Sequence, residues 1–295
     1  MLLEKTVTET RNKNSMHIDQ LDGKGIAKLI NEEDHKVAEA VATQTDKIGE
    51  AIENIAKRFD QGGRIIYIGA GTSGRLGALD AIELTPTYSV PPERAFGILA
   101  GGQRAMFEAV EGAEDSTELA INDLKNIKLS ERDTVIAIAA SGRTPYAISS
   151  INYANQIGAL SISVTCNDDN EMKDIAQIAI SPVVGPEVIT GSTRMKSGTA
   201  QKMVLNMIST GVMIKMGYVY ENLMINVQPT NEKLINRAEK ILTQILKIER
   251  EYASTLLKEA KNNVAAAIIM SKKSVSYESA IKILGDNNGQ VRNII

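Results

Sequence analysis

The chain of 295 residues is long enough for one large domain and an appendage, and its charge is almost balanced at −3. No basic block or aromatic–basic stripe offers the footprint of nucleic-acid binding, and no apolar run of about 18 residues or signal-type hydrophobic core points to a membrane or to export. One cysteine, Cys166, and two histidines, His17 and His35, exclude an internal disulfide and a His/Cys metal site, which leads to the expectation of a cytoplasmic protein without metal or redox cofactor.

In chain order, residues 1–22 are polar and read as an arm. From Lys24 to Phe59, Ile26, Leu29, Ile30, Val37, Val41, Ile48, Ile52, Ile55 and Phe59 recur at a helical period. A strand over 64–68 precedes a helix from Gly74 to Leu84, stopped by Thr85-Pro86. Strand 95–100 leads into helical segments at 103–112 and 116–127; strand 133–140, helix 145–157, strand 159–166, helix 170–176 and strand 178–184 continue the alternation. Helix 193–216 is rich in methionine, which reads as core packing. Alternating strands and helices predict a three-layer α/β sandwich with a mainly parallel sheet over 23–229. Residues 230–295 carry no strand pattern and read as a small domain of three or four helices, over 231–248, 251–260, 263–270 and 277–284.

The chemistry concentrates in three loops. In RIIYIGAGTSGRLG (64–77) a buried strand runs into Gly71, Thr72, Ser73 and Gly74 at the start of a helix. Free N–H groups and the positive end of the helix dipole make such a place an anion site. The device returns at Ser141, Gly142, Arg143 and Thr144, and a further Ser/Thr/Gly loop spans Val184–Lys202 with Glu187, Ser192 and Thr193. GAGTSG also fits the dinucleotide pattern GxGxxG, but the next strand ends in Gly101-Gly102-Gln103 without the acidic residue a ribose needs. No GxxxxGK[ST] is present. The repeated loops therefore point to a small phosphorylated ligand.

In order and spacing, GTSG (71–74), SGRT (141–144) and GPE…ST (185–193) resemble the sugar isomerase (SIS) fold. The resemblance implies a phosphosugar ligand, a homodimer, and phosphate or sugar contacts at Ser73, Ser141, Thr144 and Ser192. Ala139-Ala140 stand where some members carry a further hydroxyl, which shifts weight to backbone amides and Arg143. TETRN (8–12), IGAGTSGRLG (68–77), GGQRAMFEAVEGAED (101–115), GPEVITGSTRMKSGTAQK (185–202) and the tail NNGQVR look like the N-acetylmuramic acid 6-phosphate etherase family within it. One departure lies at AIELTPTY (81–88), where Leu84 follows Glu83 in place of the cysteine toward which the family pattern tends.

That resemblance implies cleavage of a lactyl ether by β-elimination and hydration, and marks Glu83 and Glu114 as catalytic. Glu83 lies between Ala81, Ile82 and Leu84, where desolvation would favour the protonated acid. Glu114 precedes a helix and suits base or water-activating work; Glu187 is held in reserve for ring opening or sugar contact. Arg11, Arg75, Arg143 and Arg194 all lie near the arm or the predicted loop mouths, and bidentate arginine suits phosphate or carboxylate. A helix starting near Gly74 carries Glu83 about 13 Å along its axis, so Glu83 is expected to serve a phosphate held by another loop or by a second subunit. Two alternatives stay open: an aldose–ketose phosphosugar isomerase and a non-catalytic phosphosugar sensor.

Overall fold

A computed structural model describes residues 6–229 and 231–295. The chain divides into two compact units, one made of the residues up to Ile82 with Glu93–Ser209, the other of Glu83–Pro92 with Thr210–Ile295.

The first unit is built on a five-stranded, wholly parallel sheet of β1 (Ile65–Gly69), β2 (Ala95–Leu99), β3 (Thr134–Ile138), β4 (Leu160–Val164) and β5 (Ile178–Ile180), in the order β2-β1-β3-β4-β5. Successive strand residues point to opposite faces, so both faces need cover. Ile66, Ile68, Val135 and Ala137 pack with Leu124 of α4 (Thr117–Asn126) and with Tyr146 and Ile151 of α5 (Pro145–Ile157). On the opposite face Tyr67 lies under α3 (Gly71–Tyr88), where a Cβ on Gly77 would meet Tyr67 Cβ at 2.7 Å. The Tyr67 hydroxyl donates to Asp80 Oδ2 at 2.7 Å, and Asp80 Oδ1 accepts from Asn206 and Ser209 of α7 (Lys196–Lys215). Burial, then the Asp80 charge and hydrogen bond, push the Tyr67 phenol well above its ordinary range.

Several boundaries differ from the sequence reading. The apolar period over 24–59 is two helices, α1 (Gly23–Ala42) and α2 (Thr45–Asp60), broken at Thr43-Gln44. Pro86 lies inside α3, which ends two residues later at Tyr88; having no N–H, Pro86 cannot bond the Ile82 carbonyl one turn back, so it marks the end of the helix without being its last residue. Only Gln103–Met106 of the expected 103–112 helix forms, as a short 3₁₀ turn. Helix α6 is Glu171–Ile175. The buried face of α7 is Ala200, Val204, Leu205, Ile208, Val212 and Met213, whereas Met207 is 38% exposed, so branched aliphatics rather than a methionine stripe supply its core.

Among its described residues the second unit holds a two-residue-per-strand hairpin, β6 (Val219–Tyr220) with β7 (Leu223–Met224), and, besides the ends of α3 and α7, the helices α8 (Glu232–Leu246), α9 (Arg250–Glu259), α10 (Val264–Lys273) and α11 (Tyr277–Asp286). Asn231, Asn263 and Ser276 cap α8, α10 and α11 by accepting from the backbone N–H three residues on. Leu242, Leu256, Ile268, Ile269 and Leu284 form its core together with Ile225 and Val227, so residues before the expected boundary at 230 belong to the helical unit.

Candidate active site

In an open parallel sheet, ligands bind beyond the strand C-termini where the order of connection reverses. Here that point lies between β1 and β3: the chain leaves β1 toward the edge strand β2 and leaves β3 toward β4. The two loops at this switch point are the Gly/Ser/Thr loops singled out in the sequence. Between them opens a cavity of about 390 Å³, lined by Ala70–Ser73, Ile138–Ser141, Arg143–Pro145, Glu9, Glu114, Asp115 and Thr193. That volume suits a small ligand.

Local geometry explains the glycines. Gly71 opens α3 at φ +53, a left-handed conformation that residues with a Cβ rarely adopt. A Cβ on Gly74 would stand 2.4 Å from the Gly69 carbonyl oxygen, so only glycine lets the first turn of α3 close onto β1. α5 starts at Pro145 behind Thr144, whose hydroxyl makes no capping bond, and the Ser141 hydroxyl accepts from the Arg143 backbone N–H at 3.2 Å. The first turns of two helices thus border the cavity beside the hydroxyls of Thr72, Ser73, Ser141, Thr144 and Thr193.

Gly71, Thr72, Ser73, Ser141, Arg143, Thr144, Thr193 and Glu114 of the residues expected from sequence line this cavity. Gly142, Ser192, Glu187 and Glu83 are not among its lining residues. Gly142 is buried behind the loop, against Asn170. Glu187 is fully buried, and its two oxygens accept the backbone N–H groups of Lys196 and Ser197 at 2.9 Å each. It caps α7 from outside the helix, which is a structural task rather than a sugar contact. Glu83 is exposed on α3, not desolvated: Leu84 is 3% exposed but Ile82 is 60% exposed, because neighbours in a helical sequence face different ways.

Of the four arginines considered, Arg143 alone lines the cavity. Arg75 donates to the backbone carbonyls of Ala105, Met106 and Glu108 and so holds the loop after β2. Arg11 borders a different hollow, with Asn12, Glu33, Lys36 and Lys196. His17 and His35 are exposed and border neither. The lining thus carries three residues with carboxylates, Glu9, Glu114 and Asp115, and one with a guanidinium, Arg143.

Glu9 arrives from the arm, and the sequence reading did not anticipate it. The buried Thr8 accepts from Asn167 Nδ2 at 3.2 Å, and the same amide nitrogen donates to the Ala140 carbonyl at 2.9 Å. Asn12 donates to the Pro186 carbonyl at 3.2 Å, and Ser15 to that of Val188 at 2.6 Å. The arm thus crosses the second and third loops and brings Glu9 to the cavity. The polar run TETRN was its only signal.

Residues 47–155 match the glucokinase regulatory protein N-terminal SIS domain and residues 114–210 match the SIS domain. N-acetylmuramic acid 6-phosphate etherase 1 of Enterococcus faecalis is 58% identical over 295 residues, covering 100% of this chain and 98% of its own. The etherase of Lactobacillus johnsonii is 56% identical over 295 residues, covering 100% and 99%, and that of Clostridium botulinum Loch Maree 55% over 289 residues, covering 98% and 96%. This chain belongs to the N-acetylmuramic acid 6-phosphate etherase family. Among solved structures, a protein of E. coli CFT073 aligns at TM-score 0.50 and 19% identity, over 68% of this chain and 97% of its own. A Bacteroides fragilis protein described as a phosphosugar isomerase of capsule formation aligns at TM-score 0.51 and 22% identity, over 67% and 94%. These two bear on the fold alone: the SIS sandwich of the etherase family.

Proposed function

We propose that this chain cleaves the D-lactyl ether of N-acetylmuramic acid 6-phosphate to N-acetylglucosamine 6-phosphate and D-lactate, in the recycling of cell-wall amino sugars. One observation carries the reading: a hydroxyl-lined cavity at the sheet's switch point, with Glu114 in its wall, in a chain 58% identical end to end to an etherase. As a carbon–oxygen lyase it works on the open-chain aldehyde. The C1 carbonyl acidifies the C2 proton, a base removes it, the C3–O bond breaks, and the departing lactyl oxygen takes a proton. Water then adds across C2=C3, its oxygen to C3 and its proton to C2. Each positioned acid or base is worth about 10²–10⁴-fold.

In this reading the phosphate sits at the first turns of α3 and α5, held by Ser73, Ser141, Thr144 and Arg143, with Thr72 and Thr193 toward the sugar. Glu114 is the base or water activator. Glu83 is the acid that protonates the lactyl oxygen; because it is not among the residues lining the cavity, we assign it to the cavity of a second protomer in a cytoplasmic homodimer. Leu79 and Ile82, 50% and 60% exposed on the same helix, support an apolar contact there.

The test incubates the protein with N-acetylmuramic acid 6-phosphate in H₂¹⁸O. Unlabelled lactate and ¹⁸O at C3 of the sugar, located by fragmentation, are expected. Co-expressed Glu83→Ala and Glu114→Ala chains should recover about a quarter of wild-type activity if the site is shared, since half the dimers then carry one intact site. Saturable phosphosugar binding with no lactate release would replace the reading with a sensor.

A further inference from the structure

Ser73 is 9% exposed, and its hydroxyl, at the cavity wall, donates to Gln201 Oε1 of α7 at 2.9 Å. Gln201 is 1% exposed, and the other end of its carboxamide, Nε2, has no partner among the described residues. We infer that Gln201 is a positioning residue for the phosphate seat: it holds the Ser73 proton when no ligand is bound and releases it to a ligand phosphate by turning its amide. The inference rests on reading the cavity as a phosphosugar site.

A serine hydroxyl carries one proton and two lone pairs. While that proton points to Gln201 Oε1, Ser73 can only accept, and a phosphate dianion offers nothing but acceptors. The seat is closed to Ser73 in this arrangement. Turning the carboxamide exchanges oxygen for nitrogen in nearly the same space. Nε2–H then donates to Ser73 Oγ, and the hydroxyl proton is free for a phosphate oxygen. The turn leaves Oε1 short of a donor in place of Nε2 short of an acceptor, one unmet bond for another, so the bond gained to the ligand decides which arrangement is populated. Ser197, one turn earlier on α7, is fully buried and its hydroxyl also has no partner among the described residues, so this face of the helix holds a further unused donor. A glutamine fits this task because it alone presents both a donor and an acceptor at that length. A glutamate could only accept, and a methionine could do neither.

Chemistry therefore ranks the substitutions in an order that packing alone does not give. Gln201→Glu keeps the shape but fixes the Ser73 proton; the dissociation constants of inorganic phosphate and of N-acetylglucosamine 6-phosphate should rise about 10- to 100-fold. Gln201→Met leaves the proton free, and both constants should stay within about threefold, since the seat loses only an indirect partner. Because a new carboxylate also repels phosphate through space, both are measured again with Ser73→Ala, where most of the Gln201→Glu penalty should vanish. A measurement on the unaltered chain stands beside the variants: the Gln201 side-chain NH₂ resonances should shift when phosphate is added, and should not in Ser73→Ala. Equal losses for Gln201→Glu and Gln201→Met, a penalty undiminished in Ser73→Ala, or amide resonances indifferent to phosphate would each overturn the inference. Its failure is separable from that of the etherase reading: absence of lactate release with these phosphate effects intact removes the reaction and leaves the seat.

Discussion

Glu33 of α1 is 3% exposed, yet its carboxylate takes four donors. Oε2 accepts from Asn12 Nδ2 at 2.9 Å and Lys196 Nζ at 2.8 Å; Oε1 accepts from Asn14 Nδ2 at 2.9 Å and Lys36 Nζ at 2.5 Å. Burial alone would raise its pKa, but the bonds from Asn14, Lys196, Lys36 and Asn12 outweigh it and lower the pKa from 4.5 to about 2. A depressed carboxyl contributes stability that is present above the unfolded pKa and lost as pH falls through the folded one. A difference of this size is worth about 3 kcal/mol at neutral pH, less than half of which survives at about pH 3. Glu33→Gln keeps the shape but leaves the Lys196 ammonium, 1% exposed, without its counter-charge. Losing one partner of a buried pair costs about 3–5 kcal/mol. Urea unfolding followed by circular dichroism should show that loss at pH 7, with the gap to wild type narrowing steadily toward pH 3. Glu33→Leu combined with Lys196→Met should recover much of it, because paired apolar replacements leave no buried charge. A gap below about 0.5 kcal/mol at pH 7, or one equally large at pH 3, would refute the reasoning.

Two shorter predictions concern the cavity and the core. Glu9→Gln should lower kcat/KM about 10- to 100-fold, the value of a hydrogen bond to a charged group, while inorganic phosphate binds no more weakly than before; weakened phosphate binding would place Glu9 at the phosphate and not at the sugar. Cys166 is fully buried, and burial, opposed by the Ser197 carbonyl contact and reinforced by the Glu187 charge, pushes its thiol up to about 12. A thiol-specific reagent at pH 8 should therefore leave it unmodified in the native chain and label it completely in denaturant.

What the sequence discloses here is what neighbouring residues decide among themselves. Strand β1, the turn at Gly71 and the start of α3 follow from a short apolar run meeting Gly, Thr and Ser, and the same grammar repeats at Ser141–Thr144. What it conceals depends on partners far along the chain. Glu187 reads as a loop carboxylate in reserve for ring opening or sugar contact, but it accepts from the backbone at the N-terminus of a helix that begins nine residues later, at Lys196. Glu9 reads as part of a polar arm, and it reaches the cavity only because Thr8 meets Asn167, 159 residues away. Glu83 reads as desolvated because its sequence neighbours are apolar, whereas helical geometry turns Ile82 outward and Leu84 inward.

The charges around the cavity then restrict how a phosphate can be held. Arg143 is the single Lys or Arg among the described lining residues, against Glu9, Glu114 and Asp115. Formal charge therefore disfavours a dianion in this space, and attraction has to come from groups without formal charge. The N–H groups opening α3 and α5 meet that need: each helix start carries a partial positive charge that falls off within the first turn. Hydroxyl donors extend it, provided their protons are free to point at the ligand. In the proposed reading such a seat holds the phosphate, and the carboxylates of the lining are left to the neutral, proton-bearing part of the sugar. The proposed elimination at C2 and C3 of a 6-phosphosugar needs both kinds of group, an anion seat for the phosphate and carboxyl groups for the proton transfers.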